Sequence, residues 1–347
     1  MSAEARKIDC HTHFYPSAYL KEMRKRTSDP LFGPYPGHPY PCFSKDGEKF
    51  ASVRPPHTDI ELRLREMDKY GMDMQALTLT CPAVDIHEPE LALKLARIVN
   101  DEFAGIHEKY PERFVGIATL PLQSMDDALD ELDRAIGDLG LRGLCVMSNY
   151  GGKHLYAPEF WPLYERAAKL DVPIIIHPNS PVGLDALVEA GVFKFIVDST
   201  ISITRLILDG VLEKYPTLKF VVPHMGSMVP YFQERLDSRT PYIYETTDVP
   251  EWYIPPELET SAHPNLKKPP SEYFKQVYLD TVSFYPPALK CAYDMAGPDH
   301  LVLGSDYPHF PVGDLRKAIK SINDMNWSKQ AKEKIYGLNA ARLLKIT

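Results

Sequence analysis

An α/β barrel of eight strand–helix units, the (β/α)8 or TIM barrel, is the fold class that this sequence predicts. Three observations carry the prediction. Eight short apolar runs are spread along the 347 residues, amphipathic stretches with helical spacing separate most of them, and residues suited to chemistry fall at the carboxyl ends of several runs. Continuous apolar strands alternating with helices imply a parallel sheet covered by helices, and eight such units at this length imply closure into a barrel. A doubly wound open sheet is the competing arrangement, but no Gly-x-Gly-x-x-Gly turn follows the first run.

The runs, in order, are KIDCH (7–11), MQALTLT (74–80), FVGIATL (114–120), LRGLCVM (141–147), VPIIIHP (172–178), LKFVVPH (218–224), VYLDTV (277–282) and LVLGSD (301–306). Helices are expected over 60–71, 91–110, 125–140, 158–170, 204–215, 229–239 and 286–297, where apolar residues recur every three or four positions. Two segments fall outside the repeat: 16–58, rich in Pro, Tyr and Gly, and 240–276, rich in Pro and acidic residues. Long loops in compact domains are mostly functional or disordered, so both are expected to be lid-like insertions in a single barrel domain spanning 1–347.

Composition narrows the partners. With 44% hydrophobic residues, 25% charged and a net charge of −8, the chain is ordinary globular material whose acidic balance disfavours nucleic acid and anionic membrane. A small-molecule partner is expected instead. No apolar run approaches the ~20 residues of a membrane span. The MSAEARK start lacks the hydrophobic segment of a secretory signal, so a cytoplasmic location is expected. Five scattered cysteines (Cys10, Cys42, Cys81, Cys145, Cys291) form no C-x-x-C pair and read as reduced thiols rather than a disulfide framework.

The chemistry starts at IDCHTHFYP, residues 8–16. If Lys7–His13 is extended, Asp9, His11 and His13 share one face and Cys10 and Thr12 the other. A lone His-x-His is a weak signal, because most such histidines are exposed or hydrogen-bonded within a core. The barrel turns the remaining histidines into a test, since barrel active sites lie where the strands end. His11 and His13 end the first run, His177 the fifth, His224 the sixth and Asp306 the eighth. Each alone has an ordinary explanation: a histidine beside proline can cap a strand, and Asp306 before Tyr-Pro can make an Asx turn. Together at one rim they point to a metal or catalytic cluster.

HTHFYP (11–16), VPIIIHP (172–178), VPHMGSMVPYFQERLD (222–237), LGSDYPH (303–309) and GLNAARLLKI (337–346) resemble the amidohydrolase-related decarboxylase family, which includes aminocarboxymuconate-semialdehyde decarboxylase and γ-resorcylate decarboxylase. The resemblance runs from the first strand to the last helix. It implies one divalent metal held by His11, His13, His177 and Asp306, with His224 as a catalytic histidine beside it. Three imidazoles and a carboxylate suit zinc best, with manganese and cobalt as alternatives. Binuclear members of the wider superfamily carry a modified lysine at the end of strand four; here that end reads CVMSN, so a single ion is expected. Asp9 is expected to be a supporting group rather than a ligand.

An acidic protein handling an acidic substrate needs local positive charge, and arginine grips carboxylates with two parallel bonds. Arg54, in SVRPPH, resembles the family arginine that precedes the helix ending in EMD. Arg235 stands where the family places an arginine that reaches the neighbouring subunit's site, which implies a homodimer sharing Arg235. On a helix, Tyr231, Arg235 and Ser238 lie along one side. The expected function is metal-dependent, nonoxidative decarboxylation of an aromatic or unsaturated, muconate-like carboxylic acid, with Asp306 or His224 returning the proton to carbon. A hydrolase of an ester, lactone or amide, or a hydratase of an unsaturated acid, would use the same groups. HPNSP (177–181) lacks the tryptophan that follows His-Pro in the semialdehyde decarboxylase, which leaves the substrate open.

Overall fold

The computed structural model of the chain describes residues 5–179, 192–237, 266–309, 311 and 313–346. Strands form at all eight apolar runs: β1 Ile8–His13, β2 Met74–Thr78, β3 in two pieces (Phe114–Gly116 and Ala118–Thr119), β4 Leu144–Met147, β5 Ile174–His177, β6 Phe220–Val222, β7 Tyr278–Asp280 and β8 Leu301–Val302. Each pairs in parallel with the next. The ring closes between β1 and the chain leaving β8: the Cys10 amide donates to Leu303 O at 2.8 Å, the Asp306 amide to His11 O at 2.9 Å and the His13 amide to Tyr307 O at 2.8 Å. The result is the expected TIM barrel.

Closure buries both faces of every strand, which is why the runs read as continuous rather than alternating hydrophobics. One set of side chains, including Cys10, Ala76, Ile117, Cys145, Ile175, Val221 and Val302, packs with Ala340, Leu343 and Leu344 of the closing helix Asn339–Leu344. The alternate set, including Leu77, Leu144, Val146, Ile176, Phe220 and Leu301, packs in a separate cluster with residues of the surrounding helices. Each strand is followed by a helix of the same number: α1 Ile60–Tyr70, α2 Pro89–Lys109, α3 Met125–Asp133, α4 Trp161–Leu170, α5 Phe193–Leu208, α6 Val229–Asp237, α7 Pro286–Ala296 and α8 Leu315–Asn323. The start signals are local. The side chains of Asp59, Ser124 and Asp314 accept from first-turn amides of α1, α3 and α8, satisfying donors that the helix cannot.

Two expectations are corrected. The helix expected over 204–215 begins at Phe193 and stops at Leu208; Gly210, at φ +85°, turns the chain before a separate turn, Val211–Lys214. The inward positions of the helix's first turns include the polar Asp198, Ser199 and Ser202, so an apolar period marks only the later part of the helix. The 16–58 insertion is not an irregular loop: it holds a helix, Ser17–Met23, and a three-stranded antiparallel sheet, Leu31–Gly33, Cys42–Lys45 and Glu48–Ser52. Phe43 fastens that sheet to Tyr15, just past β1, with ring centroids 5.4 Å apart. Of the 240–276 insertion, 240–265 lies outside the described residues, and Pro270–Phe274 is helical. No helix among the described residues is long and apolar enough to cross a membrane.

Candidate active site

The strand that carries the His-x-His pair is not regular. β1 meets β2 at Asp9↔Gln75 and next at Thr12↔Leu77, so β1 holds one residue more than its partner over that interval. This bulge resets the alternation. Cys10 packs in the cluster shared by the strands, His11 and His13 both reach the site, and Asp9 and Thr12 turn toward α1, where Gln75 and Arg63 bond to them. The expectation that Asp9, His11 and His13 share one face is therefore corrected, because it assumed an unbroken period of two. Asp9 instead ties the first strand to the last. Its carboxylate accepts from the Ser305 amide (3.0 Å) and hydroxyl, from Gln75 Nε2 (3.2 Å) and from the His11 amide (3.3 Å), while burial pushes its pKa up to about 6. Gly304 makes the passage possible: a Cβ there would stand 2.9 Å from Cβ of Asp280 and 3.1 Å from Cβ of His11.

His11 Nε2 lies 3.1 Å from His13 Nε2, and Oδ1 of Asp306 lies 3.2 Å from His13 Nε2 and 3.4 Å from His11 Nε2. The His177 ring sits 4.9 Å from that of His13, and the donor atoms of His11, His13 and His177 all fall within 4.8 Å of one another. Hydrogen bonds fix the tautomers. His11 Nδ1 donates to Asp280 Oδ2 at 2.6 Å, and the other Asp280 oxygen accepts the amides of Met225 and Val282. Thr78 gives its hydroxyl proton to Thr12 O, so at 3.0 Å it must accept from His13 Nδ1. His177 Nδ1 donates to Pro178 O at 2.8 Å. All three rings thus commit Nδ1 and turn Nε2 inward, with the Nε2 atoms of His11 and His13 3.1 Å apart. Three imidazoles preset in this way beside a carboxylate fit a divalent cation.

The electrostatics follow from burial and close packing. Burial, then the hydrogen bonds and charges around it, set each group: His177 is pushed down to about 3, and His13 is held well below the ordinary histidine range. Burial works the same way on His11, but the Asp280 hydrogen bond and the Asp280 and Asp306 charges outweigh it and push His11 up to about 9. Burial favours the neutral form of Asp306, yet its bond to His13 and the neighbouring His11 hold it below the usual carboxylate range. His224 is lowered by burial and then by His11. It stands in a tight turn after β6 in which His224 (φ +55°), Met225 (+60°) and Ser227 (+61°) all adopt the left-handed region, a conformation that costs non-glycine residues energy and clusters at functional sites. Its ring lies 5.4 Å from that of His11, and its Nδ1 is buried without a hydrogen-bond partner among the described residues.

A family model described as amidohydrolase matches residues 8–346. The chain belongs to the amidohydrolase family. This amidohydrolase is 29% identical over 350 residues to the 2-amino-3-carboxymuconate-6-semialdehyde decarboxylase of Dictyostelium discoideum, covering 97% of this chain and 91% of the relative. The crystal structure of 5-carboxyvanillate decarboxylase from Sphingomonas paucimobilis matches with a TM-score of 0.84 at 27% identity, over 99% of this chain and 100% of that one. A dihydroxybenzoic acid decarboxylase from Polaromonas, solved with manganese and the inhibitor 2-nitroresorcinol, matches with a TM-score of 0.72 at 26% identity, over 99% and 97% of the two chains.

The structure of the amidohydrolase brings together five residues singled out in its sequence: His11, His13, His177, His224 and Asp306. Arg54 lies at the edge of this group. Its amide donates to His57 Nδ1 at 3.1 Å, and its charge is among those that depress His57 and His309. Arg235 is exposed on α6, on the same helix as the exposed Tyr231 and Phe232; Ser238 lies outside the described residues. Sequence reasoning missed four residues at the site. Asp280 and Thr78 end strands just as the ligands do, and His309 follows Asp306 in LGSDYPH, so position alone could have found these three. His57 had no such signal, because it arrives from the 16–58 insertion.

Proposed function

We propose that this amidohydrolase catalyses the metal-dependent, nonoxidative decarboxylation of an aromatic or unsaturated, muconate-like carboxylic acid. The observation that carries the proposal is the convergence of three preset Nε2 atoms and one carboxylate oxygen at the ends of β1, β5 and β8. Its support is the agreement of family, length and fold with the decarboxylases above. One divalent ion, held by His11, His13, His177 and Asp306, is proposed. Zinc is the ion this donor set suits best. Manganese, which a solved relative holds, and cobalt are the alternatives. When bound, the ion supplies fixed positive charge against the negative charge that develops on a substrate oxygen.

Loss of carbon dioxide breaks the bond between the carboxyl carbon and its neighbour and leaves the electron pair on the latter, so a proton must be delivered to that carbon. Asp306 and His224 are the two candidates in reach. Asp306 is ionised and bonded to His13. His224 is neutral at physiological pH and keeps an unpartnered ring nitrogen, so it can take a proton from the substrate or solvent and give it back. Arg54 is proposed to bind a substrate carboxylate. Arg235, beside the exposed Tyr231 and Phe232, is proposed to enter the site of a twofold partner, making the working form a homodimer. The buried or half-buried thiols of all five cysteines suit the reducing cytoplasm, which is the proposed location.

The hydrolase and hydratase alternatives are not favoured by the relatives described. The test is a screen of aromatic and muconate-type acids for carbon dioxide release by protein loaded with zinc, manganese or cobalt, with esters and lactones alongside. Carbon dioxide from at least one acid is expected. Ester or lactone hydrolysis without carbon dioxide from any acid would overturn the proposal.

A further inference from the structure

Beside the proposed metal ligands lies a second pair of histidines that this chemistry leaves unused. The His309 ring is 5.0 Å from that of His13, donor atoms of His13, Asp306 and His309 fall within 4.8 Å of one another, and the His309 amide donates to Asp306 O at 3.0 Å. Behind His309, with ring centroids 5.1 Å apart, sits His57, only 1% exposed. The Arg54 amide donates into His57 Nδ1, so a neutral His57 must carry its proton on Nε2. That Nε2 is buried and has no hydrogen-bond partner among the described residues. A buried donor with nothing to donate to is costly, so such a group calls for an acceptor, which a ligand oxygen can supply.

The neighbours of His57 decide which acceptor suits it. Burial pushes its pKa down to about 2, and His309, Arg63 and Arg54 add to the effect, so the ring stays an uncharged donor and the surrounding charge is positive. A fixed N–H in positive potential favours an anionic oxygen over a neutral one. We propose that His57 and His309, with Arg54 beside them, bind a second carboxylate of the substrate, separate from the carboxylate that is lost, and so make this enzyme selective for dicarboxylic over monocarboxylic acids. The inference rests on the decarboxylase reading only for the place of the reacting carboxylate.

The experiment is calorimetric binding, without turnover, of benzoate and the three benzenedicarboxylates (phthalate, isophthalate and terephthalate) to the metal-loaded full chain. At least one dicarboxylate is expected to bind about tenfold or more tighter than benzoate, the scale of one charge-assisted hydrogen bond. His57→Phe should abolish that preference while benzoate binding and metal content stay near the parent's, and His57→Gln, which restores an N–H, should recover part of it. His309→Phe is expected to weaken the same preference and serves where His57→Phe fails to fold. Equal affinity for benzoate and all three dicarboxylates, or a preference that survives both phenylalanine variants, overturns the inference. The two readings fail separately. A His57-dependent preference without carbon dioxide release from any acid sinks the decarboxylase reading alone, and carbon dioxide release from monocarboxylic acids without that preference sinks this one alone.

Discussion

Replacing Asp280 by Asn keeps the shape of the side chain and removes its charge, and the hydrogen bonds give the reason to expect an effect at the proposed metal site. One Asp280 oxygen receives the His11 Nδ1 proton at 2.6 Å and the other receives two amides, from Met225 at 3.1 Å and Val282 at 3.0 Å. An asparagine oxygen can serve only one side. If it faces His11, its amino group meets the two backbone donors; if it faces the backbone, its amino group meets the His11 N–H. The second arrangement relaxes by moving the His11 proton to Nε2, the atom that must offer a lone pair to the cation. Removing such a carboxylate behind a ligating histidine weakens metal binding about 10–100-fold, or about 1.4–2.7 kcal/mol. Thr78→Val breaks the corresponding bond behind His13, but that bond is neutral and worth about 0.5–1.5 kcal/mol, so it should cost about tenfold at most. Competition for zinc against a chromophoric chelator measures both. An Asp280→Asn affinity within about twofold of the parent, or a greater loss in Thr78→Val, would refute the tautomer argument.

The metal ligands and the proton carrier should separate. Purified chain is expected to hold close to one divalent ion; His177→Ala and Asp306→Ala should lose it together with activity, whereas His224→Ala should keep it and lose turnover about 10²–10⁴-fold. Metal loss in the His224 variant would make that residue a ligand, and His154→Ala, whose ring stacks on Tyr156 rather than entering the site, should behave like the parent. Asp85 gives a pH test: burial pushes its pKa up to about 7 from an ordinary value of 3.8, and its Oδ1 has no partner among the described residues. A carboxylate raised in this way favours folding while protonated, so stability declines as pH rises from about 4 to 7, by on the order of 4 kcal/mol in full. Asp85→Asn should therefore melt higher than the parent at about pH 8 and lose that advantage near pH 4; parallel melting curves would refute the burial argument. Arg235→Ala and His224→Ala homodimers should both be nearly inactive, and mixing them under subunit exchange should restore activity, since one site then has an intact His224 and a partner's intact Arg235. A mixture as inactive as its parents, despite proven exchange, would place Arg235 outside the shared site.

The barrel was legible because its signal is redundant. Each of the eight runs is apolar on both faces, and a parallel ring is the arrangement that buries both faces of every strand. The cluster was legible for a related reason: once strand ends define a rim, His177, His224 and Asp306 become neighbours although 47 residues or more separate them in sequence. Facing was less legible than position. The bulge in β1 leaves no mark in IDCHTH, yet it sends Asp9 to one side and His11 to the other. His57 was invisible because the sheet that delivers it, in the 16–58 insertion, lies outside the repeat and is held by aromatic contacts such as Phe32 on Phe43 at 4.6 Å.

Arg63 shows where the limit lies. In the pattern IELRLREMDKY it reads as one more charged residue of an amphipathic helix, and arginines are mostly exposed. In the structure it shares the buried face of α1 with Met67, four residues on, and has no exposed surface. Its guanidinium donates to Thr12 Oγ1 (3.2 Å), Gln75 Oε1 (3.1 Å), Pro56 O (3.1 Å) and the carbonyl of His13, and lies 4.9 Å from the ring centroid of Tyr307. Burial pushes its pKa down only to about 10, so it remains charged at neutral pH. One buried cation thus holds the main chain of a proposed metal ligand, the segment that carries Arg54 and His57, and the residue after Asp306. Burying a charge without a direct ion pair is costly, and here the cost is offset by carbonyl dipoles, by an aromatic face and by Asp9, reached through Gln75. Residue types at strand ends announce which groups can bind a metal. The groups that aim them are set by contacts between segments far apart in sequence, and no local pattern records those contacts.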